Sequence, residues 1–274
     1  MVAWVPGKWR DALALEGPFP DVPQHIEEML YRWVEAALRD GTETTRTVAL
    51  THRIPIPEPT LALAPAVARI MQTVTSDVTL LLTYAETILD LAVQQDTLRI
   101  LQLKIILDGG NSAYTLRSDW HGLELRVLPE ARDAVESVIA SARDTSVGAH
   151  LANAWNEAFG LSPDPVKSYA ESIRAVEAAA APVLTPKDKN ATLGTLIGHL
   201  DTNLGAWRMA VPDGTATSSI STVLAMMRTL WQGQRGRHAG VLPTQSETAE
   251  SAQAAVFVAS ALAQWFVGGY ISRS

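Results

Sequence analysis

The stretch WQGQRGRHAG, residues 231–240, holds the residues of this chain best suited to chemistry. Arg235, Arg237 and His238 stand there beside Gly233, Gly236 and Gly240. An imidazole titrates near neutrality and can move a proton. A guanidinium keeps its charge, so it can hold a phosphate or offset charge in the transition state. RNA brings its own nucleophile, the 2′-hydroxyl; cleavage without a metal then needs only a base, an acid and a cation. Glycine lets the backbone come close to a phosphate. His238, Arg237 and Arg235 are therefore the candidate catalytic set, and Arg228, Gln234 and Gly236 the candidate substrate-binding residues. The competing expectation is a polar turn between two helices, whose cations offset the dipole of the preceding helix.

The surrounding composition narrows the partners. The chain carries a net charge of -7, so bulk attraction does not draw it onto nucleic acid. RNA binding needs a local basic patch. Between Gly205 and Leu242, Arg208, Arg228, Arg235 and Arg237 stand against Asp213 alone. Charged residues are only 19% of the chain, which leaves much neutral surface and leans towards an oligomer, a homodimer in the simplest case.

Other chemistries are excluded or unsupported. The 274 residues include no cysteine, which removes disulfides, thiolate zinc sites, iron–sulfur clusters and cysteine nucleophiles. There is no phosphate loop, no H-E-x-x-H pair and no G-x-S-x-G elbow. The six histidines are far apart in sequence and the carboxylates are scattered, so no metal and no cofactor is expected. The N-terminal residues do not read as a signal peptide. The alanine-rich run SAQAAVFVASALAQWFVGGYI is broken by Ser251, Gln253, Ser260 and Gln264, so a buried helix is expected rather than a membrane span. A cytoplasmic protein without membrane association is the expectation.

The elements that must position the site read as mostly helical. Pro6, Pro18, Pro20 and Pro23 mark an extended arm. Ile26, Leu30, Trp33 and Ala37 recur at helical spacing up to Gly41. A proline-rich connector follows Ile54, and helix resumes around Ala64–Val74. SDVTLLLTYAETILDLAVQQ is a further helix capped by Ser76 or Asp77, and DTLRILQLKIILDGG another, stopped at Gly109–Gly110. Ala113–Arg117 and Leu123–Leu128 alternate apolar and polar around SDWHG, a hairpin near 112–128. Pro129 opens a helix to about Arg143.

The C-terminal portion is a run of amphipathic helices with short connections. One face carries Leu151, Trp155, Ala158 and Phe159; a helix spans about Pro165 to Ala181; ATLGTLIGHLDTNL makes a shorter one. Ile220, Val223, Leu224, Met227 and Trp231 form the stripe of the next. A capping signal at Ser246 opens the last, with Val258, Leu262, Trp265 and Phe266 as its stripe. The fold expected is mainly α: an N-terminal helical region over 1–145 that includes the hairpin, and a C-terminal helical bundle over 146–274.

The order SYAESIRAVEAAAAPVL, ATLGTLIGHL, GRHAG and ESAQAAVFVASALAQWF resembles the C-terminal domain of bacterial abortive-infection proteins, over about Ala149–Phe266. Those domains are similar to the HEPN class, which implies an all-α bundle, dimerisation and metal-independent ribonuclease activity. The active HEPN motif is an Arg, four to six residues, then His. Counting back from His238, those places hold Gly233, Gln232 and Trp231; only the RHA element at Arg237–Ala239 carries over. The resemblance implies an antiphage ribonuclease, with His238 as base or acid and Arg237 and Arg235 on the phosphate. The departure from the motif keeps two alternatives open. One is a non-catalytic HEPN-like module that binds RNA, a nucleotide or a protein partner; the other is a purely structural helical protein.

Overall fold

The structure, a computed structural model, describes residues 18–56, 63–92, 96–143, 145–211, 219–234 and 246–274. It divides the chain into two compact units, Met1–Arg126 and Val127–Ser274. The described residues are mainly helical, with two small antiparallel two-stranded sheets.

The first unit contains α1 (Gln24–Asp40), α2 (Thr42–Thr51), α3 (Leu63–Val74), α4 (Leu80–Ala92) and α5 (Thr97–Gly109). A hairpin of β1 (Tyr114–Leu116) and β2 (Leu123–Leu125) follows. Helix α1 is the hub. Its stripe of Ile26, Leu30, Trp33, Val34, Ala37 and Leu38 is buried, and it packs on each of the other four helices. The Trp33 indole satisfies its N–H by donating to the Arg99 carbonyl at 2.8 Å. Helix α2 has no stripe visible in its sequence, since five of its ten residues are threonine. Packing makes it helical: Thr45, Val48 and Ala49 are buried, and the Thr45 hydroxyl donates to the Leu38 carbonyl at 2.7 Å. Asp77 caps the turn into α4 by accepting from the Thr79 amide at 3.0 Å. Tyr114, Thr115 and Leu116 pair with Leu125, Glu124 and Leu123, so the strands are shorter than their alternating pattern. Phe19 bridges to Ser112 and fixes the start of the described chain beside the hairpin.

The second unit contains α6 (Pro129–Ser141), α7 (Ser146–Phe159), α8 (Pro165–Leu184) and α9 (Leu193–Thr202). Strand β3 (Trp207–Met209), α10 (Ser219–Gly233), α11 (Ala249–Val267) and β4 (Ile271–Arg273) complete it. Helix α6, placed by its sequence position with the N-terminal region, packs on α7 and α11 in this unit. The central helix is α8, which packs against α7, α9 and α11. Small residues allow that approach: Ser168, Ser172, Ala175, Ala179 and Ala180 on α8, and Ala252, Ala255, Ala259 and Ala263 on α11, are buried. Helix α8 continues past Ala181 through Pro182 to Leu184. Pro182 has no N–H to give to the carbonyl four residues back, and the ladder continues beyond it, the Thr185 amide donating to the Ala181 carbonyl at 2.9 Å.

Strands β3 and β4 join residues far apart in sequence, with Trp207 opposite Arg273 and the Arg273 guanidinium 5.5 Å from the Trp207 ring. Helix α11 begins at Ala249. Its N-cap is Thr248, not Ser246, and Thr248 and Ser251 cap each other reciprocally. Among the described residues, no helix is long and apolar enough to cross a membrane.

Candidate functional site

Of the six residues singled out by sequence, Arg235, Gly236, Arg237 and His238 lie outside the described residues. Arg228 and Gln234 are described. Arg228 lies on α10, where its Nη2 pairs with Asp201 Oδ2 of α9 at 2.7 Å. Both side chains are about half exposed, 43% and 48%, so water shares the interaction. Gln234 is the first residue past α10 and is half-buried.

The end of α10 is tightly held. A helix leaves its last carbonyls without intrahelical donors, and the buried Tyr169 hydroxyl of α8 donates to the Leu230 carbonyl at 3.0 Å. That hydroxyl also explains Gly233: a Cβ there would sit 2.1 Å from it. In the same turn Trp231 lies over Gly194 of α9, where a Cβ would meet the indole at 2.8 Å. The N-terminus of α11 is fixed by the reciprocal Thr248 and Ser251 cap. The described residues on either side of the segment with Arg235, Arg237 and His238 are thus a pinned helix end and a capped helix start.

A second cluster in the same unit has no motif in the sequence. His150 on α7 and Glu171 on α8 meet, Nδ1 to Oε2, at 2.7 Å. Glu171 is only 6% exposed, and its other oxygen accepts from Arg174 Nη1 at 2.5 Å. Burial alone pushes the Glu171 carboxyl up. The hydrogen bonds and charges of His150 and Arg174 outweigh it and hold the carboxyl below its ordinary value. Among the described residues only Nδ1 of the His150 ring has a partner, and its side chain is 29% exposed.

The first unit carries a polar cleft of about 370 Å³ between α2, α4 and the hairpin loop. Thr47, Thr51, Glu86, Asp90, Arg117 and His121 line it. Glu86 accepts from the Leu123 amide at 2.5 Å, while His121 approaches Asp90 at 3.4 Å. Burial pushes the Glu86 carboxyl above its usual value; the Leu123 amide and Arg117 oppose this, and Asp119 and Asp90 add to it. Among the described residues, no group of three or more His, Asp or Glu is arranged to hold a metal.

Neither cluster has a local sequence signature. His150 and Glu171 are 21 residues apart on different helices, and Glu86 meets the hairpin 37 residues on. The only signal was the helical phase that turns each residue towards its neighbour. Comparison with family models, curated proteins and solved structures gives no match for this chain.

Proposed function

We propose that the chain is an abortive-infection, antiphage protein of the bacterial cytoplasm whose C-terminal, HEPN-like helical unit cleaves RNA without a metal, as a homodimer. His238 serves as the proton-transferring group, and Arg237 and Arg235 hold and neutralise the phosphate. One observation carries the reading. The described residues flanking the basic, glycine-rich segment after Gln234 are fixed, by the Tyr169–Leu230 bond on one side and the Thr248–Ser251 cap on the other. Fixed flanking ends suit a catalytic segment, because orientation is a large part of rate enhancement.

The experiment is incubation of purified protein with total RNA in the presence of a chelator, beside His238→Ala and Arg237→Ala. Fragments from the wild type and none from the variants support the reading. Equal cleavage by all three, or none by the wild type, overturns it. A non-catalytic, RNA-binding module is the second reading. Two observations favour it: Arg228 is already paired with Asp201, and no arginine stands at 231–233. RNA binding that weakens steeply with salt, without cleavage, selects this one.

A further inference from the structure

The cleft of about 370 Å³ in the first unit, between α2, α4 and the hairpin loop, has no part in the function proposed above. We propose that it binds a small organic cation bearing primary ammonium groups, an alkyl diamine in the simplest case, held by Glu86 and Asp90. The site is independent of RNA cleavage.

Hydrogen-bonding capacity carries the inference. The cations that line the cleft are already turned to carboxylates: Arg117 Nη2 donates to Asp119, and His121 Nδ1 faces Asp90 Oδ1 at 3.4 Å. The acceptors are open. Glu86 spends Oε2 on the Leu123 amide at 2.5 Å, and among the described residues its Oε1 has no hydrogen-bond partner. The Thr47 and Thr51 hydroxyls of α2, on the facing wall, have none there either. An ammonium group donates three hydrogens and accepts none, so it complements such a lining. A phosphate, which chiefly accepts, does not.

Charge and spacing point the same way. Burial raises the Glu86 carboxyl and Asp119 and Asp90 add to it, with the Arg117 charge only partly opposing them. A bound cation offsets all three. Glu86 and Asp90 are four residues apart on α4, so they share a face with Cβ atoms about 5–6 Å apart. Two ammonium groups on a short methylene chain span that distance. Leu91, 37% exposed, lines the cleft and offers the methylenes an apolar contact. A metal ion fits less well, since among the described residues no three His, Asp or Glu side chains are arranged to hold one.

Anchoring the hairpin explains less. The Leu123 amide needs one oxygen, which a neutral side chain supplies without the cost of a partly buried charge. The hairpin loop is instead shaped around the whole carboxylate. Gly122 is buried, and a Cβ there would lie 2.5 Å from Glu86 Oε1. Trp120 takes a φ of 65°, a left-handed conformation costly for a bulky residue, in the turn that sets Arg117 and His121 at the cleft.

The test is isothermal titration calorimetry of the full chain with putrescine, beside butanediol and magnesium chloride. Saturable binding of putrescine at one site per chain is expected, and none of butanediol. Glu86→Gln keeps an acceptor for the Leu123 amide, so it is expected to stay folded. It and Asp90→Asn should each weaken binding about 10-fold or more, the scale of one lost hydrogen bond to a charged group. Glu130→Gln, at an exposed carboxylate of the second unit, should leave affinity unchanged. A wild type that does not bind putrescine overturns the proposal. So does equal binding by butanediol or magnesium, or full affinity in both cleft variants. An equal loss in Glu130→Gln also overturns it, since that is bulk attraction to a chain of net charge -7. Each of these outcomes leaves the proposed function standing.

Discussion

The Tyr169 hydroxyl donates to the Leu230 carbonyl across 3.0 Å, joining residues 61 apart in sequence inside the second unit. This bond fixes where α10 ends, and hence where the segment with Arg235, Arg237 and His238 begins. Tyr169→Phe leaves a buried carbonyl without its donor and is expected to cost about 1–2 kcal/mol. Ordinarily Gly→Ala stabilises a helix by about 1 kcal/mol. At Gly233 the new Cβ would lie 2.1 Å from the hydroxyl, so the sign reverses. In the Tyr169→Phe background the contact with the hydroxyl is gone and only the ring carbon at 3.2 Å remains, so Gly233→Ala should cost less than it does in the wild type. Urea unfolding of the four proteins of this double-mutant cycle measures the coupling; additive effects would show that the hydroxyl does not set the helix end.

The start of α11 gives a sharper contrast. Thr248→Ala removes a side chain that accepts from the Ser251 amide at 3.2 Å, and about 1 kcal/mol of stability should go with it. Ser246→Ala, two residues earlier at an exposed position, should change stability by less than about 0.5 kcal/mol. Thermal unfolding of both variants separates them, and a larger loss for Ser246→Ala would move the cap back to where the sequence pattern put it.

In the first unit, Glu86 is held in a place that penalises its charge. Its folded pKa is raised above the ordinary 4.5, so the stability linked to it is present below 4.5 and is lost as pH rises through the raised value. Glu86→Gln keeps an oxygen for the Leu123 amide and removes the charge. At pH 7 the variant should be as stable as the wild type or more so, by up to about 1 kcal/mol, and the two should converge towards pH 4. Denaturant midpoints at the two pH values decide it; a variant that is weaker at pH 7 alone would mean that the ionised carboxylate is the favoured form.

How far the fold could be read depended on contrast between neighbouring residues. Ile26, Leu30, Trp33 and Ala37 stand out against charged neighbours, and all are buried. The same holds for Leu151, Trp155, Ala158 and Phe159. In α11 the contrast fails. Leu262 and Phe266 are buried, but Val258 and Trp265 are only partly so, and the packed row is alanine, which carries little hydropathy signal. Helix α2 was hidden because threonine has low helix propensity and only packing overrides it. Strands β3 and β4 are three residues each and pair across more than sixty positions, beyond any local pattern. The hairpin was legible since both strands and their turn lie within one short window. At the candidate site the chemistry of Arg235, Arg237 and His238 is visible from residue type alone. The His150–Glu171 pair is not, because only the packing of α7 on α8 brings the two together.

Glu171 and His150 also make a prediction that needs no substrate. The Glu171 carboxyl is held below its ordinary 4.5, so the stability it contributes is present above 4.5 and is lost as pH falls through the lowered folded value. Its hydrogen bonds from His150 and Arg174 favour the charged carboxylate, and protonation weakens both. Wild type should therefore lose stability between pH 5.5 and pH 3.5 more steeply than Glu171→Gln, which binds no proton there. At pH 5.5 the variant should be weaker by about 1.5–3 kcal/mol, the scale of hydrogen bonds to a charged group. Two curves of unfolding free energy against pH test this. Parallel curves would mean that folding does not lower the Glu171 carboxyl and that its hold on the imidazole is weaker than its 2.7 Å contact indicates.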